Sequence, residues 1–228
     1  MTRPKIILDA GHGGRDPGAV GHGLREKDLV LAIAKEVEKR LTNYECDTRM
    51  TRSTDIFVAL SERARIANSW GANVFVSIHV NAGGGTGVET FIHPVTPQAT
   101  IRFQSAMHRG IVGQLANVRD RGRKTANFAV LRETKMSAVL TENLFIDHAQ
   151  DARLLKSTST INAISQGHVD GLIAHFKLKP KTQTSSPSSL YRLRIDGTQV
   201  GAFKQGANVL KNVEAHLGTA KRIEVTRG

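Results

Sequence analysis

Strand and helix signals alternate along residues 1–178 and predict an α/β fold with a largely parallel sheet, followed by a small C-terminal β-α-β module. Three observations carry this expectation. Short apolar runs at Lys5–Asp9, Asn73–His79 and Ala138–Glu142 have the continuity of strands buried on both faces. Between them lie stretches with apolar residues at helical spacing. After a polar segment, the chain returns to the strict apolar/polar alternation of a half-buried strand.

Each element follows in order. Lys5–Asp9 is a strand ending in a glycine-rich loop. Leu29, Ile33, Val37 and Leu41 recur every four residues and predict a helix over Glu26–Leu41. Cys46–Met50 reads as a second strand, and Leu60, Ala64, Ala67 and Trp70 mark a second helix. Asn73–His79 and Val88–Ile92 are strands, Gln98–Asn117 a long helix, Ala138–Glu142 a strand and Ile161–Lys177 a last helix. In the tail, Tyr191, Leu193 and Ile195 alternate with Arg192 and Arg194. A helical stripe of Val209, Leu210, Val213 and Leu217 follows, then a closing strand through Ile223 and Val225.

Residues 179–189, KPKTQTSSPSS, are polar, Ser/Thr/Pro-rich and aperiodic, and predict a linker between a domain at 1–178 and a module at 190–228. A β-α-β unit this small buries little apolar surface alone, so it is expected to dock on the main domain or pair with a second copy in a tail-mediated dimer.

Apolar residues make up 39% of the 228 and charged residues 23%, which excludes a chain disordered throughout and fibrous repeats. The single cysteine, Cys46, excludes an internal disulfide framework and a cysteine-rich metal site. The start, MTRPKIILDAGHGG, lacks the apolar stretch of a signal peptide, and no run approaches a membrane span. The expectation is synthesis in the cytoplasm as a soluble protein. The formal net charge is +12, and about half of that excess falls after residue 178. Such an excess calls for an anionic partner.

The loop Gly11-His12-Gly13-Gly14-Arg15-Asp16-Pro17-Gly18 lacks the glycine spacing of a dinucleotide fingerprint, and no Gly-Lys-Ser/Thr follows. Its informative residue is His12, just past the carboxyl end of the first strand. His79 and Glu142 end two further strands, and Glu26 opens the first long helix. In open α/β sheets the carboxyl ends of the strands share one edge, where ligand sites form. Two imidazoles and a carboxylate are a normal catalytic zinc set, and a second carboxylate can then serve the bound water as proton acceptor. A histidine at a strand end is more often a hydrogen-bonded structural residue than a ligand, so the spacing alone leaves that reading open at these positions. His22 lies in the same loop and could replace His12, while Ser61 and Ser77 sit in no nucleophile elbow.

Five ordered blocks resemble the zinc-dependent N-acetylmuramoyl-L-alanine amidases of bacterial walls and phage endolysins, the amidase type 3 family. They are IILDAGHGGRDPGA at 6–19, GLREKDLVLAIAKEV at 23–37, TRSTDIFVALSERARIAN at 51–68, VFVSIHVNA at 74–82 and FAVLRETKMSAVLTENLF at 128–145. The resemblance implies a twisted, mostly parallel sheet flanked by helices. It implies one Zn²⁺ bound by His12, Glu26 and His79, Glu142 as catalytic acid/base, and Asn81 as a substrate-binding residue that organises the pocket. Arg63 and Asn68 would be structural. Ser137 stands where the family often has proline, and Asn143-Leu144-Phe145-Ile146-Asp147 departs from its usual Thr/Ala-Gly-Phe-x-Ser-Asn.

The tail is similar to small wall-binding modules of phage and sporulation-linked amidases, its GAFK segment to half of a sporulation-related repeat. The implied partners are peptidoglycan and anionic wall polymers, reached after release through a pore or by lysis, with no nucleic acid and no membrane span. Two alternatives stand beside this reading. One is a nucleic-acid-binding protein, motivated by the net charge and the run Arg119–Lys124, against which stands an aromatic content of 5%. The other is a catalytically silent wall-binding protein.

Overall fold

A strand covered by helices on both faces has no solvent side to alternate with, so its sequence becomes apolar throughout. The structure, a computed structural model describing residues 3–181, 191–203 and 206–227, builds its sheet from such strands. It comprises two compact units, Met1–Lys181 and Thr182–Gly228. The first unit runs β1 (Lys5–Ala10), the short pair β2 (Val20–Gly21) and β3 (Leu24–Arg25), α1 (Glu26–Leu41), β4 (Asp47–Met50), α2 (Leu60–Trp70) and β5 (Val74–Asn81). It continues through β6 (Val88–Ile92), α3 (Gln98–Gln114), β7 (Asp120–Thr125), α4 (Ala129–Arg132), β8 (Ser137–Phe145), α5 (Ala149–Leu155) and α6 (Thr158–Phe176).

The six-stranded sheet has the order β4-β1-β5-β8-β6-β7. Strands β4, β1, β5 and β8 are parallel, whereas β6 runs antiparallel to β8 and parallel to β7. Alternation along the strands divides the core in two. Ile6, Leu8, Val76 and Ile78 face α1, α3 and α6, while Ile7, Phe75, Ala138 and Leu140 pack with Ala67 of α2 and Val130 and Leu131 of α4. Helix α1 buries Leu29, Val30, Ile33, Ala34, Val37 and Leu41 along one stripe, with Glu26 and Asp28 in its first turn and Lys39 and Arg40 in its last, complementing the helix dipole.

Helices α3 and α6 meet through glycines. A Cβ on Gly110 would stand 2.4 Å from the Gly167 carbonyl oxygen, and one on Gly171 would stand 2.7 Å from the Met107 Cα. The two backbones therefore approach more closely than side chains would allow.

Edge strand β7 is absent from the sequence expectation. Its six residues, DRGRKT, carry no apolar pattern because it borders solvent, where charge guards an unpaired edge. The basic run read as a nucleic-acid feature is this strand. Among described residues no helix is long and apolar enough to cross a membrane.

Residues 182–189 of the expected linker, and Leu190, lie outside the described residues. Lys179–Lys181 stay on the first unit, where the Lys179 carbonyl accepts from the Glu45 N–H at 2.9 Å and the Lys181 N–H donates to the Asn43 carbonyl at 2.7 Å. The second unit adds β9 (Tyr191–Ile195), β10 (Thr198–Phe203), α7 (Gly206–Glu214) and β11 (Ile223–Arg227), in an antiparallel sheet ordered β10-β9-β11. It is thus β-β-α-β rather than β-α-β. The extra strand follows from Asp196-Gly197, whose φ values of 50° and 86° close a tight hairpin. Leu193 and Val209 form its buried centre.

Candidate metal centre

The site begins with how the end of β1 is held. Asp9 is fully buried and accepts from Arg63 Nη1 at 2.7 Å, Thr51 Oγ1 at 2.6 Å and Ser77 Oγ at 2.6 Å. Burial alone would push its carboxyl up, but the Arg63 charge and the two hydroxyls hold it below the ordinary value. Arg63 also donates to the carbonyls of Ala10, His12 and Val58. Arg52 donates to those of Ala10, Gly11, Lys27 and Thr54. Two buried guanidinium groups thus fix the backbone from which His12 projects, at a left-handed φ of 57°.

That backbone sets His12 against the start of α1. Glu26 Oε2 lies 3.1 Å from His12 Nε2 and accepts from the Ala19 N–H at 2.8 Å. Its Oε1 accepts from His79 Nδ1 at 2.9 Å and from the Val80 N–H at 3.1 Å. The far side of the His12 ring donates from Nδ1 to Asp16 at 2.9 Å, which fixes its tautomer and orientation. The two rings stand nearly perpendicular, centroids 5.0 Å apart. One donor atom from each of His12, Glu26 and His79 lies within 4.8 Å of the others.

Glycine is required around this cluster. A Cβ on Gly18, at φ 65°, would meet Glu26 Oε2 at 2.6 Å and the His12 ring at 2.7 Å. The glycine-rich loop therefore makes room for side chains rather than for a phosphate.

The two carboxylates have opposite electrostatics. Burial opposes ionisation of Glu26, but the imidazoles of His12 and His79 that face its two oxygens pull its pKa far below the ordinary value. Glu142 is pushed up to about 7 by burial, reinforced by the charges of Glu26 and Glu89 and opposed by His79. Among the described residues its buried Oε2 has no hydrogen-bond partner. One carboxylate is thus held ionised between imidazoles and the other poised to exchange a proton near neutrality, a separation that assigns distinct roles. Both histidines are raised: burial opposes their charged forms, and the neighbouring carboxylates outweigh it.

His79 and Glu142 are cross-strand partners in the β5–β8 register. They lie at the base of a cleft of about 460 Å³ whose walls carry Phe57, Val58, Leu60, Phe128 and Val130. Phe57 and Phe128 are 41% and 39% exposed, enough apolar surface to meet a substrate.

The structure thus brings His12, Glu26, His79 and Glu142 together. It sets Asn81 beside them, with its amide donating to Glu89 Oε1 at 2.8 Å and its Oδ1 accepting from the Ala82 N–H. His22 lies against the Asp147 carbonyl at 3.3 Å, away from the cluster. Ser77 Oγ is spent on Asp9. Sequence reasoning missed Asp9, Arg52 and Glu89. The signal available for Asp9 was a carboxylate closing an apolar strand, which needs a buried partner.

A family model described as N-acetylmuramoyl-L-alanine amidase matches residues 6–174. The chain is 48% identical over 216 residues to the sporulation-specific N-acetylmuramoyl-L-alanine amidase of Bacillus subtilis (strain 168), covering 92% of this chain and 81% of that protein. That span is longer than the first unit alone. It is 45% identical over 188 residues to the endolysin of Bacillus phage SPP1, covering 80% of this chain and 69% of that protein. Among solved structures, the catalytic domain of CwlV, an N-acetylmuramoyl-L-alanine amidase from Bacillus (Paenibacillus) polymyxa var. colistinus, superposes with a TM-score of 0.73 at 36% identity. It covers 77% of this chain and 99% of that domain.

Proposed function

This chain belongs to the N-acetylmuramoyl-L-alanine amidase family, the peptidoglycan hydrolases that cut the amide between N-acetylmuramic acid and L-alanine, and from that premise we propose the residues and metal that do the work. His12, Glu26 and His79 hold one zinc ion, and Glu142 is the catalytic acid/base. The donor set fits the metal: two imidazoles and an ionised carboxylate converge, and an orphaned carboxyl oxygen sits beside them. When bound, zinc supplies Lewis-acid polarisation of the scissile carbonyl and lowers the pKa of water to around 7.

The chain's own residues do the rest. Glu142, whose carboxylate burial makes more basic than usual, accepts the proton of the attacking water and returns it to the departing L-alanine nitrogen. Asp16 keeps His12 in the tautomer that turns Nε2 inward. The apolar walls at Phe57 and Phe128 flank the substrate and thin the water around the scissile bond.

The chain acts at the bacterial cell wall. Arg192 and Arg194 of β9 line an open depression on the tail with Gln199, Glu224, Val225 and Thr226, where two cations against one carboxylate support attachment of this unit to anionic wall polymers. Entry to the wall by release through a pore or on cell lysis belongs to the same proposal.

The observation that carries this reading is the convergence of His12, Glu26 and His79 beside Glu142, which pairs with His79 across β5 and β8 and leaves its buried Oε2 without a partner among the described residues. Zinc content, together with wall-suspension clearing with and without chelator, tests it. The expected products are new L-alanine amino termini without new reducing sugar ends. Clearing that ignores the chelator overturns the zinc assignment.

A further inference from the structure

On the sheet face that carries His79 and Glu142, the row of neighbouring side chains continues past Glu142. Glu89 of β6 stands directly opposite Glu142 in the antiparallel β6–β8 register. It is 4% exposed, and it collects two cations from the edge strand: Arg121 Nε donates to its Oε2 at 2.6 Å, and Lys124 Nζ donates to the same oxygen. Burial opposes ionisation of Glu89, but these two cations hold its carboxyl below the ordinary value. Asn81 holds the other oxygen.

Among the described residues, one carboxylate between two cations leaves a positive charge unmatched, one strand away from Glu142. The cations remain reachable, with side chains 24% and 38% exposed for Arg121 and Lys124. Both are backed by aromatic rings. The Arg121 guanidinium lies 4.8 Å from the Phe145 centroid and the Lys124 ammonium 5.9 Å from that of Phe91. Phe91 packs edge-on against Phe128, a wall of the catalytic cleft. Guarding the sheet edge requires no such convergence, since the exposed Arg123 on the same strand already does that.

We propose that Arg121 and Lys124, seated on Glu89, bind a carboxylate of the stem peptide one residue beyond L-alanine, and so favour stems whose second residue keeps its α-carboxylate over stems in which it is amidated. The inference rests on the amidase reading above. Neighbouring strands stand ~5 Å apart and an extended residue spans ~3.5 Å. The charge centred on Glu89 is therefore at the right separation from Glu142 for a group one residue past the scissile amide. Guanidinium and ammonium donors are the side chains that recognise a carboxylate. Asn81 and Glu89 become positioning residues, and Arg121 and Lys124 determine specificity.

The test uses the zinc-loaded full chain and two matched muropeptides, N-acetylmuramoyl-L-alanyl-γ-D-glutamyl-L-lysine and the same compound with the glutamyl α-carboxylate as carboxamide. Calorimetric binding of the corresponding peptides, which lack the sugar, runs beside the kinetics. The acid forms are expected to be favoured about fivefold in kcat/KM and in Kd, as for a partly exposed charge pair. In R121Q/K124Q that difference is expected to fall below twofold, and in K124R to persist. Equal treatment of the two forms by the unaltered chain, which needs no variant to fold, overturns the proposal. So does a preference that survives in R121Q/K124Q. Selective binding of the acid peptide without cleavage of either muropeptide would refute the amidase reading and leave this one standing. Cleavage of both at equal rates with equal binding would do the reverse.

Discussion

The α-carbon of Gly11 faces the imidazole of His79 so closely that a Cβ there would stand 2.4 Å from Cε1 and 2.6 Å from Nε2. The backbone of the first-strand loop is the back wall against which one metal ligand rests. Gly11→Ala is therefore expected to push His79 out of line and weaken zinc affinity by about 10–100-fold, the range seen when ligand support is lost. Competition with a metal-binding dye measures this. Unaltered zinc affinity in that variant would show that the ring has room to give.

Glu142→Gln keeps the shape of the side chain and removes its proton chemistry. Zinc content is expected to stay at that of the unaltered chain while kcat on a soluble muropeptide falls about 10²–10⁴-fold. Retained turnover would remove Glu142 from its assigned role, whereas joint loss of zinc and turnover would make it a ligand.

Asp9→Ala removes the only carboxylate that touches Arg63 among the described contacts, leaving a buried guanidinium with carbonyl partners alone. Breaking a buried pair by deleting one partner costs about 3–5 kcal/mol. The urea midpoint is expected to drop accordingly. A midpoint within experimental scatter of the unaltered chain would mean that the carbonyls alone satisfy Arg63.

His168 sits fully buried on α6. Its Nδ1–H donates to the Ile164 carbonyl at 2.8 Å, so its Nε2 accepts from the Thr141 hydroxyl at 2.9 Å, and the ring is neutral. Burial pushes its pKa down to about 4 from 6.5. The unfolded chain takes up the proton first as pH falls. The stability that this residue contributes is complete above pH 6.5 and declines from there to about 4, by about 3 kcal/mol at most. Urea unfolding at stepped pH is expected to show a shallower decline for His168→Gln over that window. Parallel curves would mean that His168 is not held neutral.

A chain ending at Lys181 retains the unit that corresponds to a solved catalytic domain. It is expected to turn over soluble muropeptide within about twofold of the full chain and to sediment less with wall fragments, because it lacks the basic tail. Equal sedimentation would assign wall attachment to the first unit.

Much of this was legible beforehand. The α1 and α2 boundaries fall where the four-residue apolar spacing ends, because one buried stripe decides such helices. The four residues of the site were legible from their places near the carboxyl ends of strands and at a helix start, since the topology delivers those positions to one edge, although β5 runs two residues past His79 and β8 three past Glu142. Other features were not. Strand β7 has no apolar face to betray it, and β8 runs on to Phe145 with Leu144 at φ 71°, a left-handed step that no local pattern announces for leucine. The reversal at β6 depends on a partner far along the chain. The tail hairpin was available in Asp196-Gly197, a turn signal flanked by alternating residues.

The glycine contacts between α3 and α6 limit how this lineage can change. Most cores drift by trading volume between neighbours, one side chain growing as another shrinks. At Gly110, Gly167 and Gly171 there is little volume to trade, because the opposing atoms are backbone apart from the Met107 Sδ beside Gly171. A single added methyl would pry the helices apart beneath the strands that carry His79 and Glu142. Descendants are therefore free to vary the rim of the cleft, and with it their preferred wall, while this seam stays closed to substitution.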